Sequence, residues 1–192
     1  MAPRTKKQFE EIRQGKKALI MNAALELFAN EGYHATSISK IAEKAGISKG
    51  LLYNYFESKE ALIIQILDQG FAEMFAYFDI NKDGVLSKKE LAYFIDKSVE
   101  SLKVNIEFWR FYFRVSLQPE VFPLLKSKIE AIMAPMMKLL VKYFQTQGAK
   151  EPTMEAMLFG ALLDGISMDY VFTPELIPID KVKKAIIKKY CS

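Results

Sequence analysis

The sequence predicts an all-α protein. Apolar residues recur at helical spacing along most of its 192 residues, and no segment shows the alternation that is typical of a half-buried strand. Glycine and proline are few, with 9 and 7 residues, so no long linker between independent modules is expected. Hydrophobic residues make up 51% of the chain, which is enough to build a sizeable core and argues against disorder.

Four helices are predicted before residue 80, and residues that favour helix ends place each of them. The predicted N-terminal caps are Thr36, Ser48 and Ser58, and the predicted stops are Gly32 and Gly46. On this basis the helices cover about residues 14–30, 36–45, 48–56 and 58–79.

The rest of the chain keeps the helical pattern. The segment 154–172 is nearly apolar on all sides, which indicates a helix buried from several directions. Pro135 is predicted to kink the helix that contains it, and the closing helix is rich in lysine. The helices predicted here cover residues 91–104, 106–117, 124–145, 154–172 and 180–190.

The most informative pattern lies between Thr36 and Phe56 and indicates a helix-turn-helix. Ala42 and Ala45 are small where two helices must cross closely, and Gly46 permits the tight turn between them. This packing would leave the first residues of the next helix pointing outward, where they can reach base edges and phosphates. Those residues are Ser48, Lys49, Gly50, Leu51, Tyr53 and Asn54.

This stretch closely resembles the DNA-binding domain of the TetR family of repressors. The resemblance covers roughly residues 17–67 and implies a three-helix DNA-binding domain over residues 1–57, with a C-terminal helical effector and dimerisation domain over residues 58–192. It also implies a homodimer that binds double-stranded operator DNA, with the last two helices of each chain in a four-helix bundle. The residues that carry it are Ala24, Phe28, Gly32 and Tyr33 upstream, and Phe56, Ser58, Lys59 and Glu60 downstream.

The resemblance also implies a role for individual residues on DNA. Thr36 and Ser37 would lie at the DNA backbone, and Tyr55 and Lys59 would contact phosphate. The residues expected in the major groove are Lys49, Gly50, Leu51, Tyr53 and Asn54.

The N-terminal part of the chain carries most of the net charge of +4. Residues 1–60 hold ten Lys and Arg against seven Asp and Glu, and a basic end of this kind fits a polyanionic partner, although three charges also suit a solvated surface. The first residues form a basic arm that either contacts DNA or is a solvated tail. The arm comprises Arg4, Lys6, Lys7, Arg13, Lys16 and Lys17.

A second motif, residues 79–90, matches the twelve-residue EF-hand loop. Such loops offer oxygen ligands to Ca²⁺ at positions 1, 3, 5, 7, 9 and 12 and need glycine at position 6, where this chain has Gly84. Leu86 supplies the apolar residue that packs such a loop against its neighbours. The predicted ligands are Asp79, Asn81, Asp83, the Val85 carbonyl, Ser87 through water, and Glu90 as the bidentate ligand.

Ca²⁺ at this loop is expected to change the angle or rigidity of the preceding helix, and so to alter operator affinity. A polar turn between helices remains the alternative interpretation of the loop. Only one such loop is present, and Lys82, Lys88 and Lys89 offset its carboxylates, so a modest affinity is expected.

Residue usage argues against an enzyme. His34 is the sole histidine and Cys191 the sole cysteine. Neither a Ser-His-Asp nor a Cys-His catalytic arrangement is therefore expected within one chain. No signal peptide or membrane span is predicted, and a cytoplasmic location is expected.

Two further expectations concern ligands and partners. The aromatic residues of the C-terminal part, together with the family resemblance, suggest a pocket for a small apolar effector, although aromatic stripes on helices are more often plain core. The competing function is a calcium-sensing module that binds proteins and has no specific role on DNA.

Overall fold

The computed structural model describes residues 5–119 and 121–192, apart from the side chains of residues 73–75 and 124. The described residues form nine helices and no strand, so the prediction of an all-α fold is confirmed. Arg4, predicted as part of the basic arm, lies outside the described residues. The helices are α1 (Lys6–Glu31), α2 (Ile38–Lys44), α3 (Lys49–Tyr53), α4 (Lys59–Phe75), α5 (Lys88–Val104), α6 (Ile106–Ser116), α7 (Phe122–Thr146), α8 (Pro152–Phe172) and α9 (Ile179–Tyr190).

The chain divides into two compact units, Met1–Asp68 and Gln69–Ser192. The division falls inside α4, whereas the predicted domain boundary at residues 57 and 58 lies just before that helix. Each unit has its own buried apolar residues, which in the first unit include Phe28, Ile41 and Leu52, all fully buried.

Helix α1 begins well before residue 14, where the sequence predicted its start. Its first turn is closed by a capping box, because the Thr5 hydroxyl accepts a hydrogen bond from the N–H of Gln8 at 3.3 Å and the Gln8 side chain accepts one from the N–H of Thr5 at 2.9 Å. The hydrophobic pattern misses these turns because residues 6–16 are exposed and bury no apolar face. Gly32 ends the helix as predicted, with φ of 86°.

Helices α2 and α3 form the helix-turn-helix. The predicted cap of α2 is wrong by one residue, because Ser37 accepts the hydrogen bond from the N–H of Lys40, while Thr36 is fully buried. Gly46 turns the chain between the helices with φ of 63°, a conformation that glycine adopts without steric cost. Ser48 caps α3 as predicted, accepting from the N–H of Leu51 at 3.1 Å.

Helix α4 ends at Phe75, so the prediction that it reaches Asp79 is wrong by about one turn. The residues that follow form turns, and α5 begins at Lys88, before the predicted residue 91. Its early start has a local cause. The Ser87 hydroxyl accepts from the N–H of Glu90 at 3.2 Å, and the Glu90 carboxylate accepts from the N–H of Ser87 at 2.9 Å.

The second unit packs α5, α7, α8 and α9, with residues of the loop before α5, around one large apolar cluster. Helix α7 packs on α8, and α5 packs on α9. Within residues 5–119 and 121–192, no helix is both long and apolar enough to span a bilayer. The buried residues of the cluster are Phe78, Leu86, Leu91, Phe94, Ile95, Leu140, Tyr143, Phe144, Ala156, Phe159 and Ile186.

At Gly70 the backbone of α4 lies close to the side chain of Phe108 in α6. A Cβ atom built at this glycine would lie 2.1 Å from the ring of Phe108, far inside van der Waals contact. Glycine is therefore required here by the approach of two helices and not by backbone conformation.

Candidate functional site

The outward face of α3 gathers the residues that were predicted to read DNA. Leu52 is fully buried and anchors the helix to the rest of the first unit. Leu51 is 37% exposed and Tyr53 is 47% exposed, which is unusual for large apolar and aromatic side chains and leaves them free to contact a partner. The other exposed residues of this face are Ser48, Lys49, Gly50 and Asn54.

Helix α2 is tied to α1 by two exposed ion pairs. The ammonium group of Lys40 lies 2.6 Å from the Glu31 carboxylate, and that of Lys44 lies 2.6 Å from Glu26. Beneath these pairs, Ala42 is buried at the helix crossing, as its small side chain predicted. These contacts join α2 to α1, and the turn at Gly46 leads from α2 directly into α3.

Lys59 stabilises the loop between α1 and α2. Its ammonium group donates to the backbone carbonyls of Tyr33 at 2.8 Å and Thr36 at 3.0 Å, and lies 3.9 Å from the centre of the Tyr33 ring. Burial lowers the pKa of Lys59. The phosphate contact predicted for this residue stays a prediction, and it would compete with two existing hydrogen bonds.

The hydroxyl of Tyr33 donates to the carboxylate of Glu60, the next residue of α4. Burial raises the pKa of Tyr33 far above its ordinary value, and the negative charge of Glu60 raises it further. The same hydrogen bond lowers the pKa of Glu60. We call Tyr33, Lys59 and Glu60 the loop lock. The sequence did not predict that these three residues contact one another.

Two adjacent residues that were predicted to lie at the DNA backbone differ in their exposure to solvent. Ser37 is exposed. Thr36 is fully buried, and its hydroxyl donates to the carbonyl of Gly32 at 2.8 Å. Tyr55 is half-buried. Of these three residues, Ser37 is the one that is exposed, although its hydroxyl also caps α2. The DNA roles of all three stay predictions.

The loop at residues 79–90 has part of the geometry that the EF-hand pattern predicts. The Asp79 carboxylate accepts from the N–H of Gly84 at 3.2 Å, and the Asp83 carboxylate accepts from the N–H of Val85 at 2.7 Å. Asn81 bridges to Asp83, accepting from its N–H at 3.1 Å. One carboxylate oxygen of Asp79, Oδ1, is buried with no hydrogen-bond partner.

The last predicted ligand is directed elsewhere. Glu90 caps α5, and its carboxylate accepts from the hydroxyl of Ser87 at 2.7 Å. Within the described part of the chain, no group of three or more His, Cys, Asp or Glu side chains is close enough together to hold a metal ion. The turn is therefore formed, and the full ligand set is not brought together.

Packing fixes the loop within the second unit. Leu86 is 4% exposed and belongs to the large apolar cluster, and Phe78 before the loop packs edge-to-face on Phe94, with ring centres 4.7 Å apart. The side chain of Lys142 in α7 donates to the carbonyl of Gly84 at 3.0 Å. The loop thus contacts the helices α5 and α7 of its own unit.

The second unit also contains an apolar cavity of about 80 Å³. Its wall includes the aromatic residues Trp109, Tyr112 and Phe113, three of the aromatics from which the sequence suggested a pocket. Two polar residues of the wall stand out. The hydroxyl of Ser98 is buried with no partner, and burial raises the pKa of Asp164.

Asp164 was not singled out from the sequence. Its signal was nevertheless present, because it is an acidic residue in the middle of a segment that is otherwise nearly apolar. The residue as a whole remains exposed, and the apolar groups around its carboxylate account for the raised pKa. It therefore lies at the mouth of the cavity.

Fold and surface together define a helix-turn-helix protein with a second, all-helical unit. Residues 20–66 match the family described as bacterial regulatory proteins, tetR family, and this match lies within the stretch that resembles the TetR family in the sequence.

Curated relatives agree with this assignment. The chain is 31% identical over 145 residues to the HTH-type transcriptional regulator UidR of Escherichia coli K12, an alignment that covers 76% of this chain and 58% of the relative. The chain spans between 21% and 58% of the length of the first curated relatives that it matches. Their names describe regulators, not enzymes.

Solved structures extend the likeness to the C-terminal unit. The regulator FadR of Bacillus subtilis, in complex with stearoyl-CoA, has a TM-score of 0.74 at 22% identity and covers 91% of this chain and 97% of its own. NalD, the secondary repressor of an efflux pump in Pseudomonas aeruginosa, has a TM-score of 0.73 at 20% identity and covers 92% and 95%. At these identities the likeness shows the fold.

Proposed function

We propose that this chain is a transcriptional repressor that binds operator DNA through α3. The observation that carries the proposal is the exposed face of α3, where Lys49, Tyr53 and Asn54 project from a helix anchored by the fully buried Leu52. A short helix held in this way is the arrangement that enters the major groove in helix-turn-helix proteins. The family match over residues 20–66 supports the proposal.

The chain acts as a homodimer in this proposal, with a second copy seated on α8. One face of that helix carries large apolar side chains that are exposed, and Gly165 on the same helix permits close approach. A contiguous apolar surface of this kind is typical of a protein interface. The exposed side chains are Met154, Met157, Leu158, Met168 and Phe172, between 37% and 54% exposed.

Selection from random-sequence DNA tests the DNA role. The chain is expected to enrich palindromes whose half-sites lie about one helical turn apart. Substitution Asn54→Ala should weaken binding to the selected site by about tenfold and relax its specificity, whereas Lys49→Ala should weaken binding to all sequences. Lys150→Ala, an exposed lysine of the other unit, is the control and should change neither.

The opposite result would be binding with no sequence preference that disappears at moderate salt. That result would favour the calcium-sensing interaction module. A reporter gene placed behind the selected site decides the direction of regulation, because a repressor lowers its expression.

A small apolar effector is proposed to bind the cavity of the second unit and so to change operator affinity. The aromatic residues in the wall of the cavity support this role. FadR of Bacillus subtilis is described in complex with stearoyl-CoA. At about 80 Å³, the cavity would need to widen before it could take a chain of that length.

Ca²⁺ is proposed as a ligand of the loop at residues 79–90. Two features support it: the complete twelve-residue pattern, and the buried Oδ1 of Asp79, which has no partner and would gain one in a cation. Binding would require Glu90 to turn from the hydroxyl of Ser87 toward the ion. The polar-turn interpretation accounts for the other hydrogen bonds equally well.

Thermal unfolding of the full chain with Ca²⁺, with Mg²⁺ and with a chelator tests this proposal. A bound ion stabilises the folded state, so Ca²⁺ should raise the Tm, and Mg²⁺ should raise it less. Glu90→Gln should remove the Ca²⁺-dependent difference, and Glu100→Gln on the same helix should keep it. An unchanged Tm together with no heat of binding would contradict the proposal. Equal operator affinity with Ca²⁺ and chelator would leave the ion a structural role.

A further inference from the structure

The charges around the cavity of the second unit are unbalanced. Two charged residues, Asp164 and Lys183, belong to its wall. Lys183 is already neutralised, because its ammonium group lies 2.5 Å from the carboxylate of Asp96 and 3.9 Å from that of Asp180. Among the described residues no cation balances Asp164, whose pKa is raised by burial alone. The cavity therefore presents one uncompensated carboxylate.

The aromatic part of the wall has a matching property. The rings of Phe71, Trp109 and Tyr112 meet edge-to-face, with centres 5.0 Å apart for Phe71 and Tyr112 and 5.9 Å apart for Trp109 and Tyr112. Aromatic rings attract organic cations through their quadrupole, and clusters of them recognise quaternary ammonium groups. A carboxylate beside such a cluster is therefore suited to a cation that is also apolar.

We propose that the cavity binds an apolar organic cation, with its ammonium group beside Asp164 at the mouth and its apolar body among the aromatic rings. This inference rests on the proposed effector role of the cavity and names the chemical class of the effector. A cation would balance a carboxylate that the apolar surroundings disfavour. An anion of the same shape would face repulsion from Asp164, and Lys183 is not free to attract it.

Three probes of nearly equal shape separate charge from hydrophobicity. Phenyltrimethylammonium, tert-butylbenzene and benzenesulfonate carry positive, zero and negative charge on similar bodies. Because Trp109 lies in the wall and is the sole tryptophan, the intrinsic fluorescence of the full chain reports binding directly. The cation is expected to bind about tenfold more tightly than the neutral probe, and the anion to bind more weakly than both.

Variants of α8 complete the experiment. Asp164→Asn should abolish the preference for the cation while the neutral probe still binds. Asp169→Asn, a change of the same type at an exposed position of the same helix, should keep the preference. The proposal is overturned if the cation binds no better than the neutral probe, or if the preference survives in Asp164→Asn. Should that variant fail to fold, the comparison of the three probes on the unaltered chain still decides.

Operator binding measured with and without the cation tests the regulatory role separately. A fluorescence response with unchanged operator affinity would leave the ligand class intact and would contradict the effector role. A chain that binds no specific DNA would contradict the proposed repressor function. The fluorescence measurement would still test the ligand class, because it does not depend on DNA binding.

Discussion

Three side chains of the first unit, the loop lock of Tyr33, Lys59 and Glu60, join the loop after α1 to the start of α4. Lys59 satisfies two carbonyls of the loop, and Tyr33 donates to Glu60. The loop lies directly before α2 in the chain. Any looseness here would therefore be transmitted to the helix-turn-helix, which makes these residues supports of the DNA-binding surface.

Tyr33→Phe should destabilise the chain by about 1 kcal/mol, because it removes a hydrogen bond to a charged group. The hydrogen bond depresses the pKa of Glu60, so its contribution is present above the unfolded pKa of that carboxyl and is lost as pH falls through the folded pKa. Urea unfolding at neutral and acidic pH measures both effects. Tyr93→Phe, at an exposed tyrosine, is the control, and an equal loss there would contradict the prediction.

Asp164→Asn should raise the Tm at neutral pH. The folded-state pKa of Asp164 is raised above its usual 3.8, so ionisation destabilises the folded chain as pH rises from about 4 through the folded pKa. The gain should be no more than about 2 °C, since solvent still reaches the residue, and it should vanish below about pH 3. Thermal unfolding across this pH range checks the prediction. A lower Tm for the variant at neutral pH would contradict it.

At the scale of single residues, the sequence predicted the exposed positions of α3 and missed the partners of Lys59 and Asp164. The first follow from local periodicity, because α3 is short and Leu52 and Phe56, one turn apart, define its buried side. Lys59 finds its carbonyls 23 and 26 positions away, and Asp164 meets its aromatic neighbours only after α6 and α8 pack. Neither contact can be predicted from the residues that are adjacent in the sequence.

Among the elements, α4 and α6 meet at Gly70 in a contact that leaves no room for a larger side chain. An added methyl group would meet the ring of Phe108, which is itself 8% exposed and packs on Phe71 and Trp109. The ring has little room to move, so an added methyl group would force the ring or the two helices to shift.

Gly70→Ala should therefore destabilise the chain by about 1–2 kcal/mol, because the strain of overpacking, about 1–3 kcal/mol, exceeds the gain in helix propensity. Gly15→Ala, in the open middle of α1, is the matched control and should stabilise by about 0.5–1 kcal/mol. Chemical denaturation measures both. Adding Phe108→Leu should recover part of the loss at Gly70, and equal effects at the two glycines would contradict the argument.

Helix ends show where elements can be predicted. Ser48 was identified because serine is a strong cap beside a sharp glycine turn, whereas Thr36 and Ser37 are both good caps and burial of Thr36 decided between them. The start of α1 was missed because its first turns rest on the capping box of Thr5 and Gln8 and bury nothing. Periodicity detects helices that bury a face.

At the scale of the whole molecule, the apolar face of α8 should hold two copies together. Leu158→Glu is expected to convert the dimer into a monomer, because a charge in an apolar interface is costly unless it is paired. Leu117→Glu is the control, since Leu117 is 70% exposed at the end of α6 and lies outside this face. Sedimentation measures the mass of each. A dimer that survives Leu158→Glu would place the interface elsewhere.

The paired lysines of α2 have a consequence for how the chain would respond to ionic strength. Protein binding to DNA releases condensed counterions, and each phosphate neutralised adds about 0.9 to the slope of log affinity against log salt. Lys40 and Lys44 are held by glutamates of α1, and Lys59 is held by two carbonyls. Fewer cations are free than the ten of residues 1–60 suggest. The slope should accordingly be shallow, and a selected site should stay occupied over a wide range of salt.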